Sequence, residues 1–254
     1  MNTGKMRRLQ NEVAQAWAVA VKDVRVYYLT PPMIMFGLAL PLFLFFSFSV
    51  KREIGPEQGM SRLLALTTFF TASSAGVIII PMERRTGTYD RLLAAPMALI
   101  TLLIGKTLVG AFFAAAVALV SLLVGLIWLH VDVANPPLLI TTLVLASLTF
   151  SALGLVFASI PSRSVGNIMM PSTLIRWPLL FISGIFIPLS EMSPWARAVA
   201  YLSPLTYAQE LMNRAVLGES LIAPWLSLTV LLLSGVVFLA AAAWMHQRSR
   251  RLGY

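Results

Sequence analysis

Cysteine is absent from this sequence of 254 residues, and charged side chains are scarce. Without cysteine the chain forms no disulfide, thiolate metal site or cysteine nucleophile. Charged residues make up 11% of the chain and hydrophobic residues 58%, whereas a soluble domain has about 25% charged residues. With a mean hydropathy of +0.83, this composition predicts an all-α, polytopic membrane protein. We expect residues 1–254 to form a single transmembrane domain, because no polar stretch is long enough to enclose its own core.

Groups that catalyse reactions or bind ions are missing from the apolar stretches. The ten acidic residues lie in loops or flanking segments, and the two histidines, His130 and His246, lie far apart at span ends. No metal-ligand spacing or Ser/His/Asp constellation is present. We therefore predict no catalytic residue, no metal site and no enzyme activity. Ion-coupled transport ordinarily uses intramembrane Asp, Glu or His, so the composition also disfavours a secondary transporter.

One short match to a nucleotide-binding motif fails on its spacing. Gly105-Lys106-Thr107 ends like a phosphate-binding loop, but Ile100 occupies the place of the first glycine. We expect the chain to bind no nucleotide, and we interpret Lys106 as a cytoplasmic-end anchor for a membrane helix.

What the chain does contain is a series of apolar runs, each long enough for the roughly 20 residues that a membrane helix needs. They predict six spans, over residues 29–50, 63–82, 107–129, 138–160, 167–189 and 221–245. An even number of spans places both termini on one side. The segments on that side carry thirteen Lys and Arg residues, against five on the other side. The positive-inside rule then predicts cytoplasmic termini for a protein of the plasma (inner) membrane.

The first 28 residues predict an amphipathic helix instead of a span. Their apolar residues recur at helical spacing and are Leu9, Val13, Trp17, Val21, Val24 and Tyr28. Such a helix lies in the headgroup plane, with Trp17 as an interfacial anchor. It is either a membrane-surface helix or a docking surface for a cytoplasmic partner.

The densest charge lies between the second and third predicted spans, in ERRTGTYDRLLAAP, residues 83–96. Thr86 and Thr88 are suited to cap the start of a helix, and Pro96 ends it. One apolar stripe is formed by Tyr89, Leu92, Leu93 and Met97. The pattern predicts a two-turn amphipathic helix, which is too short to be stable alone and must pack on something.

This segment resembles the ER-x-x-GT-x-x-x-LL-x-x-P motif of the permease subunits of type-2 ABC exporters. Residues 180–189, LFISGIFIPL, are similar to the F-L-S-G-x-F-x-P-L stretch of that family. Residues 202–207, LSPLTY, are similar to its L-N-P-L-T-Y stretch, with Ser203 in place of asparagine. The three motifs stand in the expected order among six spans and cover nearly the whole chain.

The resemblance implies the membrane-spanning permease subunit of an ATP-driven exporter. It identifies the short helix with the coupling helix, seated in a groove of a cytoplasmic ATP-binding cassette ATPase, and the N-terminal helix with the interface helix. The implied partners are that ATPase, which binds ATP and Mg, a second permease copy in a homodimer, and membrane lipid. The chain itself takes no cofactor and no nucleic acid. The residues implied in coupling are Glu83, Arg84, Arg85, Gly87, Thr88, Tyr89, Leu92, Leu93 and Pro96, with Tyr89, Leu92 and Leu93 as apolar contacts.

Two short extracytoplasmic helices are predicted before the last span, over residues 194–202 and 204–217. Ser193-Pro194 and Ser203-Pro204 each place serine at an N-cap and proline at the first helical position. The resemblance places these helices near the exit of the pathway; the alternative is a surface-lying hairpin with no transport role. The candidate gate residues are Gly184, Pro188, Pro204 and Tyr207.

Arg176 is the one charge near the middle of a predicted span, at an insertion cost of roughly 2.5–3.5 kcal/mol. One interpretation is structural: carbonyls freed by Pro171 and Pro178, or a second copy, satisfy the guanidinium. The other makes Arg176 a pathway residue that attracts an anionic group of the substrate.

The third predicted span carries Gly110, Ala114 and Ala118 at four-residue steps. Small residues at this spacing let helices approach closely, within the subunit or across a dimer. The aliphatic and aromatic spans suit a hydrophobic, amphiphilic or lipid-linked substrate. The alternative function is an ATPase-independent transporter or a membrane scaffold.

Overall fold

The computed structural model describes residues 21–23, 31, 35, 39–43, 55–94, 98–128 and 130–251. Over these residues the regular structure is helical and contains no strand, which confirms the all-helical class. Most of the predicted helix over 1–28, most of the first predicted span over 29–50, and Pro96 lie outside the described residues.

From residue 56 onward the described residues form eight α-helices. They are α1 Pro56–Thr86, α2 Thr88–Ala94, α3 Leu99–Trp128, α4 Pro136–Ala158, α5 Val165–Ile182, α6 Pro194–Ala200, α7 Pro204–Val216 and α8 Pro224–Arg251. A 3-10 turn, Leu189–Glu191, lies between α5 and α6. The helices α1, α3, α4, α5 and α8 are long and apolar enough to cross a membrane. They overlap the second to sixth predicted spans, whereas the first has no counterpart in the described residues.

The two short helices before the last span are present as α6 and α7. Ser203 caps α7, because its hydroxyl accepts a hydrogen bond from the backbone N–H of Leu205 at 3.3 Å. Ser193 takes the N-cap position of α6 without a side-chain hydrogen bond, and Pro194 follows at the first helical position. The Ser-Pro pattern therefore predicted both helix starts correctly.

The central element of the bundle is α1, which packs against α3, α4, α5 and α7. The 18-residue apolar stretch with which α1 can cross a membrane is fully buried. Only 17% of the corresponding stretch of α8 is buried. Phe69 of α1 meets Phe150 of α4 edge to face, with ring centroids 5.1 Å apart. The ends of α1 are consequently in contact with several other helices at once.

Small residues allow α1, α3 and α4 to approach closely. A Cβ atom on Gly154 of α4 would lie 2.6 Å from the carbonyl oxygen of Ser73 in α1, so only glycine fits there. Gly110 of α3 faces the same two helices, because a Cβ atom there would lie 3.2 Å from Ala75 Cβ and against Ser151. The predicted small-residue stripe of α3 therefore packs within the subunit.

Several predicted boundaries are wrong. The second span begins at Pro56 instead of residue 63, and the last ends at Arg251 instead of residue 245. The fifth span ends at Ile182 instead of residue 189, because Gly184, at φ +86°, turns the chain. The third span begins at Leu99 instead of residue 107. Thr86 belongs to the last turn of α1, where its hydroxyl donates to the Met82 carbonyl at 3.2 Å, and α2 begins only at Thr88.

Candidate functional site

The charged motif lies where α1 ends, α2 follows and α3 begins, a region that we call the Glu83 end of the bundle. The exposed residues of the motif are Arg85, Thr86, Asp90, Arg91 and Ala94, and the buried ones are Glu83, Arg84 and Tyr89. Gly87 takes φ +70°, a left-handed conformation that ends α1 and lets the chain turn into α2. The segment thus has a charged outer face and an inner face that packs on the bundle.

Glu83 lies in a buried cluster of alternating charges. Its carboxylate contacts the ammonium groups of Lys106, at 2.7 Å, and of Lys22. Asp23 in turn lies 2.7 Å from Lys22 Nζ and 3.1 Å from Lys106 Nζ. Two carboxylates and two ammonium groups balance one another, as buried charges require. The cluster joins residues 22–23 to α1 and α3.

The position of Lys106 corrects the expectation that it anchors a span end. The side chain is 3% exposed and lies about two turns into α3. Burial lowers the pKa of the nearby Lys22, but the carboxylates of Glu83 and Asp23 outweigh burial and raise it above its ordinary value. The Lys22 ammonium therefore stays charged within the cluster.

Arg84 turns inward on the other side of α1. Its guanidinium donates to the carbonyl of Ile160 at 2.6 Å and to that of Ser162 at 3.4 Å, just beyond the end of α4. The same guanidinium lies 5.2 Å from the ring centre of Tyr89 in α2, within cation–π range. Arg84 therefore fastens α1 to the α4–α5 loop and to α2.

Tyr89 connects α2 to the far end of the chain. Its hydroxyl lies 3.1 Å from His246 Nδ1 in α8, and His246 Nε2 lies 3.1 Å from the carbonyl oxygen of Leu155 in α4. Because a carbonyl oxygen only accepts, we assign the proton to Nε2, so that Nδ1 accepts from Tyr89. His246 was noted in the sequence only as a span-end histidine. No local pattern links it to Tyr89.

The three predicted apolar contacts of the coupling helix differ in exposure. Tyr89 is 2% exposed and faces the bundle. Leu92 and Leu93 are partly buried and pack with it against Ile80 and Leu102. Of the three, only the two leucines keep surface that another protein can contact in this conformation.

The candidate gate residues lie together at the other end of the bundle. Pro188 precedes the 3-10 turn, and Pro204 is the first residue of α7. Gly184 packs near Leu189, and the Tyr207 hydroxyl donates to the Tyr201 carbonyl at 2.9 Å. Their role as a gate stays a prediction.

A polar cluster that the sequence did not indicate joins α1 to α7 at this end. The Ser61 hydroxyl donates to Asn213 Oδ1 at 2.7 Å, and Gln209 Nε2 donates to the same oxygen at 2.8 Å. The carboxylate of Glu210 accepts from the backbone N–H of Leu221 at 2.6 Å, just before α8. These contacts fix α7 against the first and last described spans.

Arg176 is buried between α5 and α1, with 1% of its surface exposed. Its guanidinium donates to the hydroxyls of Ser74 at 2.8 Å and Ser172 at 2.7 Å, and it lies 5.9 Å from the ring centre of Phe157. The expected carbonyl partners were wrong, but the structural interpretation of Arg176 has support in these contacts. Its role in a pathway stays a prediction.

The chain matches a known protein family. A family model described as ABC-2 type transporter matches residues 14–217. This range contains the Glu83 end of α1, the two further motif stretches and all of α1 to α7, and it stops before α8. No curated protein matches the chain.

Proposed function

From the premise that this chain belongs to the ABC-2 type transporter family, we propose that it forms the translocation pathway for a hydrophobic, amphiphilic or lipid-linked substrate. The chain is a multi-pass membrane permease of an ABC exporter, and the family implies partnership with an ABC ATPase. We infer further that the ATPase contacts the Glu83 end and that it binds the ATP and Mg. In this proposal the permease has no hydrolytic activity of its own.

The outer face of α2 is the observation that carries the coupling proposal. Asp90 and Arg91 are exposed there, and Leu92 and Leu93 are partly exposed beside them. Arg85 is exposed at the adjoining end of α1. A helix of seven residues is not stable alone, and contacts with α1, α3, α4 and α8 hold it in place. A partner that moves α2 therefore acts on most of the bundle.

The same geometry supports a cytoplasmic Glu83 end. The contact between Tyr89 and His246 brings the last turns of α8, with Arg248, to the end that carries Arg84, Arg85 and Arg91. Clustered arginines at one end of the spans are typical of the cytoplasmic side. We therefore propose that this end, and with it the carboxyl terminus, lies in the cytoplasm.

Exposed apolar surface supports a second permease copy. Met170 and Leu174 of α5 are 80% and 75% exposed. Only 22% of the membrane-crossing stretch of α5 is buried. Lipid or another copy must cover this surface in a membrane. We propose a homodimer in which α5 lies at the subunit contact.

Charge reversal tests the coupling proposal in the permease co-expressed with its partner ABC ATPase. Arg91→Glu is expected to reduce co-purification of the ATPase. An ATPase surface that is complementary to the arginine would be repelled by the glutamate. Glu219→Arg is the matched control, since Glu219 is exposed at the opposite end. Equal ATPase recovery for wild type and Arg91→Glu would contradict the proposed contact. If the wild-type chain recovers no ATP-binding protein at all, an ATPase-independent transporter or a scaffold replaces the proposal.

A further inference from the structure

His246 is a buried polar residue that belongs to none of the three family motifs and is not among the proposed pathway residues. The side chain is 1% exposed and lies beside Tyr89, which belongs to an apolar cluster with Ile80, Leu102 and Ala242. A histidine in such surroundings is costly unless both ring nitrogens are hydrogen bonded. Both are, one to α2 and one to α4. The two bonds hold the ring in one orientation, which an apolar side chain of similar size would not do.

The contact matters because of where α8 lies. This helix packs against α3, α4 and α7, and only 17% of its membrane-crossing stretch is fully buried. At the Glu83 end, the charged cluster reaches α3, and Arg84 reaches the α4–α5 loop. The Tyr89–His246 bond reaches α8, 157 residues further along the chain. Each of these contacts thus connects the motif segment to a different part of the bundle.

We propose that His246 is a positioning residue that links α2 to α8 and α4, so that a displacement of α2 is transmitted to the last membrane helix. The inference rests on the proposed function, in which the ATPase acts on α2. The Tyr89 hydroxyl and the Leu155 carbonyl are the two attachment points. Loss of the Tyr89 bond is expected to leave α8 in place when α2 moves, while α3 still responds through Leu92 and Leu93, which pack against Leu102.

The cysteine-free chain allows a test that needs no knowledge of the substrate. Val237 of α8, which is 61% exposed, is replaced by a single cysteine and labelled with an environment-sensitive fluorophore. The labelled permease is studied in complex with its partner ATPase in lipid vesicles. The measured quantity is the fluorescence change on addition of ATP, Mg and vanadate. A cysteine at Phe112, 70% exposed on α3, reports the same step elsewhere in the bundle.

Three variants separate the two hydrogen bonds of the ring. Tyr89→Phe removes the hydroxyl that bonds to His246 Nδ1. His246→Gln keeps a donor toward the Leu155 carbonyl but loses the acceptor at Nδ1, so it also breaks the bond to Tyr89. His246→Asn places an amide oxygen near the position of Nδ1, so it keeps an acceptor for Tyr89. We expect Tyr89→Phe and His246→Gln to remove most of the response at Val237, because each variant breaks the bond between α2 and α8. His246→Asn is expected to restore most of it. The response at Phe112 is expected to persist throughout.

The outcomes are distinct. A double variant Tyr89→Phe/His246→Gln is expected to be no worse than either single variant, because both break the same bond. An unchanged Val237 response in Tyr89→Phe would overturn the inference, as would an equal loss at Val237 and Phe112, which indicates only a loss of structure. If the wild-type complex shows no nucleotide response at either position, the proposed function fails instead.

Discussion

The carboxylate of Glu83 and the ammonium group of Lys106 lie 2.7 Å apart, with both side chains buried. The pair joins the end of α1 to α3, two helices that the motif segment separates in sequence. The sequence suggested a different arrangement, with Glu83 beside a partner protein and Lys106 as an anchor at the membrane surface. Their burial makes the first residue of the motif a part of the permease interior.

Removal of one member of this pair is expected to destabilise the protein strongly. Glu83→Gln leaves two ammonium groups against one carboxylate in a buried site. Breaking a buried ion pair lowers the free energy of unfolding by about 3–5 kcal/mol. The midpoint of thermal unfolding in detergent measures it. Equal stability of wild type and Glu83→Gln would contradict the ion-pair assignment.

The contact between α1 and α4 is expected to tolerate no side chain at Gly154. Gly154→Ala forces a Cβ atom against the Ser73 carbonyl, and overpacking of this kind costs about 1–3 kcal/mol. Gly166→Ala is the control, because its Cβ would meet only Ser164 Oγ, at 3.7 Å. We expect a lower unfolding midpoint for Gly154→Ala and an unchanged or slightly higher one for Gly166→Ala. Similar midpoints for the two variants would show that the helices are not in close contact.

The hydrogen bond between Ser74 and Arg176 is expected to contribute to stability. Ser74→Ala removes an acceptor from a buried guanidinium, at a cost of about 1.5–3 kcal/mol for a bond to a charged group. Ser73→Ala is the neighbouring control, since that hydroxyl bonds only within α1, to the Phe69 carbonyl at 2.6 Å. The midpoints of thermal unfolding are measured for both purified variants, and Ser74→Ala is expected to have the lower one. A larger loss for Ser73→Ala would overturn the assigned role of Ser74.

Transport measurements distinguish the two interpretations of Arg176. Arg176→Ala and Arg176→Lys are compared in a vesicle uptake assay against a panel of amphiphilic compounds, with assembly checked by co-purification of the ATPase. If Arg176 lines the pathway, transport of an anionic compound falls by more than that of a neutral one. Unchanged transport with normal assembly would leave Arg176 a purely structural residue.

The proposed homodimer is expected to form a cross-link through α5. Because the chain contains no cysteine, Leu174→Cys introduces a single thiol on the exposed face of α5. Oxidation in membranes is expected to give a band of twice the monomer mass on a non-reducing gel. Phe112→Cys on α3, where the native side chain is 70% exposed, is the comparison and is expected to cross-link less. A stronger dimer band for Phe112→Cys would place the contact on α3 instead.

Several features of the fold could be predicted from the sequence because they depend on local composition. A run of about 20 apolar residues is required to cross the bilayer, so the second to sixth spans could be recognised. Serine followed by proline marks a helix start, and α6 and α7 begin at such pairs. The helix ends were harder to predict, because Gly184 and Gly87 stop their helices inside apolar or charged patterns that continue past them.

The sequence by itself determined the membrane class, the approximate spans and, through three motifs, the family. Only the tertiary structure decided where the polar side chains point. Glu83 meets Lys22 and Lys106, and Tyr89 meets His246, partners that no spacing rule brings together. The physical reason is that crossing a bilayer depends on each segment alone, whereas a buried charge or hydroxyl is satisfied by whichever helix packs beside it.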